Sequence, residues 1–175
     1  LCRRPRIAHN GVMSACVEPF RVMFVCTGNI CRSPMAEIVF RSVAERAGLG
    51  QYLVASSSGL GDWHVGECAD GRTVAALRRR GYDGSGHRAR QFGIADFDRN
   101  DLLVALDLSH ERALAMQART PTDADKITLL LSFDPLADGL LDVPDPYYDG
   151  RRMFDDVLGM IERASRALFS QLEPA

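Results

Sequence analysis

The chain has 175 residues with a formal net charge of −2; 46% of its residues are apolar and 25% charged. That size and balance suit one globular domain with a core of its own, and argue against a nucleic-acid-binding protein, which carries a basic excess. No apolar run approaches the ~18–20 residues of a membrane span, and five cysteines without a regular framework argue against a disulfide scaffold and for a reducing compartment.

Residues 1–19 show neither helical nor strand periodicity, and Arg3-Arg4 are not followed by the apolar stretch of an export signal. This segment is expected to be a disordered extension ahead of a single domain over residues 20–173. Residues 20–25 form a short apolar run that reads as a buried strand. A helix is expected to open at Ser33-Pro34, with Ser33 as N-cap and Pro34 at the first helical position. Met35, Ile38, Val39 and Val43 then recur at helical spacing until Gly48 and Gly50. Residues 52–55 suggest a second strand, and residues 72–80 a helix ended by Gly81. Residues 102–106 are wholly apolar, as in a central strand of a parallel sheet. A helix over 109–118, a fourth strand over 127–131 and a long helix from Arg151 complete the series. Alternating strands and helices imply βαβ units, here a four-stranded parallel sheet in a flavodoxin-like, doubly wound, three-layer α/β/α arrangement. Ligands in such folds sit beyond the carboxyl ends of the strands.

The turn after the first strand lies at such a place and reads Cys26-Thr27-Gly28-Asn29-Ile30-Cys31-Arg32-Ser33. A helix N-terminus offers unpaired N–H groups and the positive end of the macrodipole. Gly28 and Asn29 tolerate positive φ, so the amides of this loop can curl inward as an anion cradle. Arg32 could grip two oxygens of a phosphate with its planar fork, while Cys26, at the strand end, would aim a thiolate into the same ring. A cysteine six residues before an arginine means little in a chain where Lys126 is the only lysine among 21 basic residues. The preceding strand, the internal Gly-Asn and the following Ser-Pro make the pattern specific. A Walker-type loop is excluded, because no Gly-Lys-Ser/Thr is present.

The stretch VCTGNICRSPMAE, Val25 through Glu37, resembles the signature of the low-molecular-weight protein tyrosine phosphatases, and Asp145-Pro146-Tyr147-Tyr148 resembles that family's second motif. Asp62-Trp63 and residues 86–91 match further family positions, and Trp63-His64-Val65-Gly66 has the actinobacterial form. The resemblance implies hydrolysis of phosphate monoesters through a cysteinyl-phosphate, with Cys26 as nucleophile and Asp145 as acid and then base. Thr27, Gly28, Asn29, Ile30, Cys31, Arg32 and Ser33 would surround the phosphate, with Ser33 also donating to the sulfur. Asn29, Ser57, His87 and Asp107 match positions that support the loop, and Trp63, Tyr147 and Tyr148 would wall the entrance. Ile30 stands where phosphoarginine-directed relatives carry threonine, which favours phosphotyrosine. Cys31 would lie near enough to trap an oxidised Cys26. The family implies no metal or other cofactor, phosphotyrosine-containing proteins as partners, inorganic phosphate as product, and a cytoplasmic monomer that binds neither nucleic acid nor membrane.

Blander and rival readings stand beside these. Asp134-Pro135 repeats the Asp-Pro pair of the second motif, and only the tyrosines after Asp145 separate the two. His64 reads as a surface or rim residue, Cys68 as packed, His87 as structural and Arg78-Arg79-Arg80 as a solvated helix face. Thiol-coupled arsenate reduction would need a further cysteine pair late in the chain, and residues 69–175 contain no cysteine. A zinc module using Cys26, Cys31, His64 and Cys68 has acceptable spacings but would set Arg32 beside the metal.

Overall fold

Strand β1 (Phe20–Cys26) alternates its side chains between two cores: Val22, Phe24 and Cys26 face one, Met23 and Val25 the other. A strand buried on both faces belongs at the centre of a sheet. In the computed structural model, which describes residues 18–174, β1 pairs in parallel with β2 (Leu53–Gly59) and with β3 (Leu102–Ala105), and β3 pairs with β4 (Ile127–Leu129). The order is β2-β1-β3-β4. Helices α1 (Arg32–Arg46) and α2 (Gly71–Arg79) lie on the Val22/Phe24 face; α3 (Asp96–Arg99) and α4 (Leu108–Gln117) lie on the other. After the short α5 (Pro121–Ala124), α6 (Arg151–Leu172) returns to the first face with Phe154, Val157, Leu158, Ile161 and Leu168 buried. This is the three-layer, doubly wound parallel arrangement expected. Since the chain leaves β1 and β3 toward opposite faces, a crevice opens between their carboxyl ends, at Cys26 and Asp107.

Several boundaries differ from the periodic pattern. Helix α1 begins at Arg32, not at Ser33-Pro34, and Ser33 is no cap: Cys31 holds that position without a side-chain cap bond. Pro34 sits in the first turn, where its missing N–H leaves no hydrogen bond unmade. Strand β2 runs on through Ser56-Ser57-Ser58 to Gly59, which hydropathy could not show, because its register with β1 is backbone pairing. Strand β4 stops at Leu129 and gives way to a 3-10 turn over Leu130–Phe133. The expectation for residues 1–19 falls outside the described residues except at Glu18 and Pro19. Arg78-Arg79-Arg80 is exposed, yet Arg79 pairs with Asp155 and Arg80 with Glu162, tying the end of α2 to α6. Asp134 is buried and paired with Arg163 at 3.0 Å, a packing role that accounts for the second Asp-Pro pair.

At the end of β2, a Cβ added to Gly59 would lie 2.8 Å from the carbonyl oxygen of Thr27 and 3.0 Å from the amide nitrogen of Asn29. Those atoms are loop backbone and cannot rotate away. Gly59→Ala is expected to cost ~1–3 kcal/mol in urea unfolding and to weaken binding of inorganic phosphate; unchanged stability and affinity would show that the loop yields freely.

Candidate active site

The sulfur of Cys26 lies at the base of the β1–α1 loop. The Asn29 amide donates to it at 3.3 Å, and Ser33 Oγ lies 2.9 Å away. Either of Cys26 and Ser33 can donate in this pair, but a thiolate only accepts, so against an ionised Cys26 the Ser33 hydroxyl is the donor. Asn29 Nδ2 donates to Ser33 Oγ at 2.9 Å, and the Ser58 carbonyl is a second acceptor for that hydroxyl at a longer 3.4 Å.

Asn29 is buried and adopts φ 58°, the left-handed conformation foreseen for it. Its Nδ2 also donates to Ser57 Oγ at 2.9 Å, its Oδ1 accepts from the Arg90 amide at 2.9 Å, and its carbonyl accepts from His87 Nε2 at 2.7 Å. Ser57 in turn donates to Glu37 Oε2 at 2.5 Å. Gly28 does not take positive φ; it is needed for room, because its Cβ would meet His64 Cδ2 at 2.9 Å.

Arg32 is almost wholly buried. One terminal nitrogen donates to Asp107 Oδ2 at 2.8 Å and to the Val143 carbonyl at 2.9 Å, while the other reaches Asp145 Oδ2 at 3.2 Å. Asp107 caps α4. Burial pushes its carboxyl up, but the Ser109 hydroxyl, the His110 amide and the nearby charge of Arg32 hold it below the usual carboxylate range. Cys31, by contrast, is pushed up to about 12 by burial, aided by the charges of Asp70, Cys26 and Asp145, and stays a neutral thiol.

Cys26, Thr27, Gly28, Ile30, Cys31 and Arg32 form the floor of a cavity of about 400 Å³, and Trp63, His64, Asp145, Tyr147 and Tyr148 form its walls. The structure therefore brings the sequence-predicted loop, acid and rim residues to one place, with Asn29, Ser33, Ser57, His87 and Asp107 behind them. Trp63 does not cap the core: it is 66% exposed, and its ring lies over Gly61, whose Cβ would overlap it at 0.9 Å. His64 is a rim residue, held by Glu67 at 2.7 Å. Cys68 is exposed rather than packed. Among the described residues, no three His, Cys, Asp or Glu side chains are grouped to hold a metal.

Residues 21–175 match the family described as low molecular weight phosphotyrosine protein phosphatase. The chain belongs to that family. It is 57% identical over 152 residues to a low molecular weight protein-tyrosine-phosphatase of Streptomyces coelicolor, covering 86% of this chain and 92% of that protein. It is 46% identical over 148 residues to low molecular weight protein-tyrosine phosphatase A of Mycobacterium tuberculosis, covering 84% and 88%. The crystal structure of YfkJ from Bacillus subtilis superposes with a TM-score of 0.82 at 38% identity, covering 88% of this chain and 94% of that one. The chain is thus a hydrolase of the family that acts on phosphomonoesters.

Sequence reasoning missed Glu37 as the partner of Ser57, Gly59 beneath the loop, and His110. Glu37 stood four residues after Ser33, one helical turn along, which was a usable signal. His110 had none. It is buried, shares a 2.8 Å hydrogen bond from Nε2 with Thr27 Oγ1, and its Nδ1 lies 3.1 Å from Asp107 Oδ1 without the alignment of a hydrogen bond. Burial drives its pKa down to about 4, against the pull of Asp107. The unfolded chain, with an ordinary histidine near 6.5, therefore binds more protons between pH 4 and 6.5. Stability from this group is complete above pH 6.5 and is lost as pH falls toward 4, by on the order of 3 kcal/mol. Urea unfolding across that window should show a steeper loss for the wild-type chain than for His110→Gln; equal slopes would contradict the buried neutral imidazole.

Proposed function

We propose that the chain hydrolyses phosphotyrosine in proteins through a phosphocysteine at Cys26. The observation that carries this reading is the convergence on one cavity of the Cys26 sulfur with its two donors, the Arg32 fork and the Asp145 carboxyl. Cys26 would attack phosphorus in line from below. The loop amides and Arg32 would hold the three equatorial oxygens, where preorganised donors are worth ~10²–10³-fold each. Asp145 would protonate the phenolic oxygen as the P–O bond breaks, for ~10²–10⁴-fold. In the second step Asp145 would take a proton from water as its oxygen attacks phosphorus. The P–S bond then breaks, the sulfur leaves as a thiolate, and Ser33 donates a hydrogen bond to it while inorganic phosphate is released.

The rim supports an aryl substrate. Trp63, Tyr147 and Tyr148 line the cavity above the loop, where their aromatic faces would flank a phosphotyrosine ring and would find no such partner in phosphoserine. Ile30 at the floor adds an apolar surface. We further read residues 20–173 as one catalytic unit that works as a cytoplasmic monomer. Among the described residues, no helix is long and apolar enough to cross a membrane.

Two substitutions test the assignment. Cys26→Ser is expected to abolish turnover of p-nitrophenyl phosphate while retaining phosphate binding by calorimetry; residual steady-state turnover would remove Cys26 as nucleophile. Asp145→Ala is expected to lower kcat/KM for phenyl phosphate by ~10²–10⁴-fold and far less for p-nitrophenyl phosphate, whose leaving group needs little protonation. Equal losses on both substrates would refute Asp145 as the acid.

A further inference from the structure

Arg72 lies outside the loop, in the first turn of α2, and its side chain is fixed from two directions. Asp70 grips the guanidinium as a fork, accepting from Nε at 3.0 Å and from one terminal nitrogen at 2.8 Å. Asp70 also caps α2 by accepting the Arg72 amide at 2.8 Å, and its own amide donates to the Ile30 carbonyl in the loop at 2.9 Å. The Arg72 fork is thereby referenced to the loop itself. Its remaining terminal nitrogen donates to the carbonyl of Asp149 at 3.1 Å. The guanidinium carbon lies 4.6 Å from the ring centre of buried Phe154 and 5.6 Å from that of Tyr147.

Tyr147 and Asp149 belong to the segment that carries Asp145. Residues 134–150 contain neither helix nor strand, so this segment takes its shape from its ties. On the near side of Asp145, the Val143 amide donates to Leu106 and the Val143 carbonyl accepts from Arg32. On the far side, the Tyr147 amide donates to Asp145 Oδ1 at 3.2 Å and the Asp149 amide to the Pro146 carbonyl at 2.9 Å, closing a small turn. Those two bonds shape the turn without attaching it to the body. Between the contact of Asp145 with Arg32 and the start of α6 at Arg151, Arg72 ties the turn to α2 through the Asp149 carbonyl and the Tyr147 ring.

We propose that Arg72 is a positioning residue for Asp145: locked by Asp70, it fastens the far side of the acid-bearing segment to the phosphate loop and so sets where the carboxyl stands above Cys26. The inference rests on the assignment of Asp145 as the acid. The Arg72 side chain is 41% exposed, and an ion pair so placed contributes little to stability. Its contribution is geometric, since a displacement of about 1 Å in a reacting group costs up to ~10²-fold in rate. Lysine offers neither the fork nor the flat face, so it cannot substitute.

The test measures kcat/KM of the full chain and of Arg72→Ala and Arg72→Lys on phenyl and p-nitrophenyl phosphate, with inhibition by inorganic phosphate alongside. Both variants are expected to lose ~10-fold or more on phenyl phosphate and less than ~3-fold on p-nitrophenyl phosphate, with phosphate inhibition unchanged. Added to Asp145→Ala, the Arg72→Ala change should have no further leaving-group effect, because the two act as one unit. Equal losses on both substrates, weakened phosphate inhibition, full rescue by lysine, or additive effects in the double variant would each overturn the positioning role alone. Failure of the unmodified chain to hydrolyse either ester would overturn the assigned chemistry as well.

Discussion

Asn29 is held in a left-handed conformation by four groups from three parts of the chain: Ser33 in α1, Ser57 in β2, and the His87 ring and Arg90 amide beyond α2. A residue at φ 58° is unfavourable for most side chains, and asparagine reaches it at modest cost. Every polar group of this buried side chain is matched, so the loop has little freedom to relax into another shape. The order passes inward from there. Asn29 donates to the Ser33 hydroxyl that lies against the sulfur; by its own turn, it aims its amide at the same atom. The proposed nucleophile is thus oriented by a residue with no part in bond making.

The two carboxylates around Arg32 divide their work by environment. Asp107 is 16% exposed at the side chain, caps a helix, and is kept ionised by the Ser109 hydroxyl, the His110 amide and Arg32. Such a group serves as a fixed counter-charge that keeps the buried guanidinium in place. Asp145 is 48% exposed, meets Arg32 at a longer 3.2 Å, and sits in a turn rather than at a helix cap. The role proposed for Asp145, carrying a proton to a substrate oxygen and taking one from water, needs access to both. His110 completes the pocket behind Thr27 as a neutral ring, adding no second positive charge beside Arg32.

Much of this arrangement was legible because its signals are local. The apolar run of β1, the Gly-Asn turn and the start of α1 follow one another within eighteen residues of Phe20, and backbone geometry links them directly. What the sequence did not disclose depends on contacts across long separations or on backbone alone. The tail of β2 is three serines and a glycine, of which Ser57 sets its hydroxyl beneath the loop and Gly59 leaves room for the loop backbone. Thr27 and His110 are separated by 83 positions and meet only once β1 and β3 lie side by side. Asp107 was reachable only through family resemblance, since an aspartate after an apolar strand is ordinary. Cys68 and Gly28 show the opposite error: general tendencies of their residue types, burial for cysteine and positive φ for glycine, lost to the particular surroundings.

The seat of Trp63 on Gly61 has an evolutionary consequence. The indole rests on a bare stretch of backbone and buries little of its area, and Tyr148, 92% exposed, is equally detached from the core. Replacing such side chains forfeits little folding free energy, whereas each atom around Asn29 is bound to several others. The mouth can therefore change by single exchanges at little cost to folding while the loop beneath stays constant.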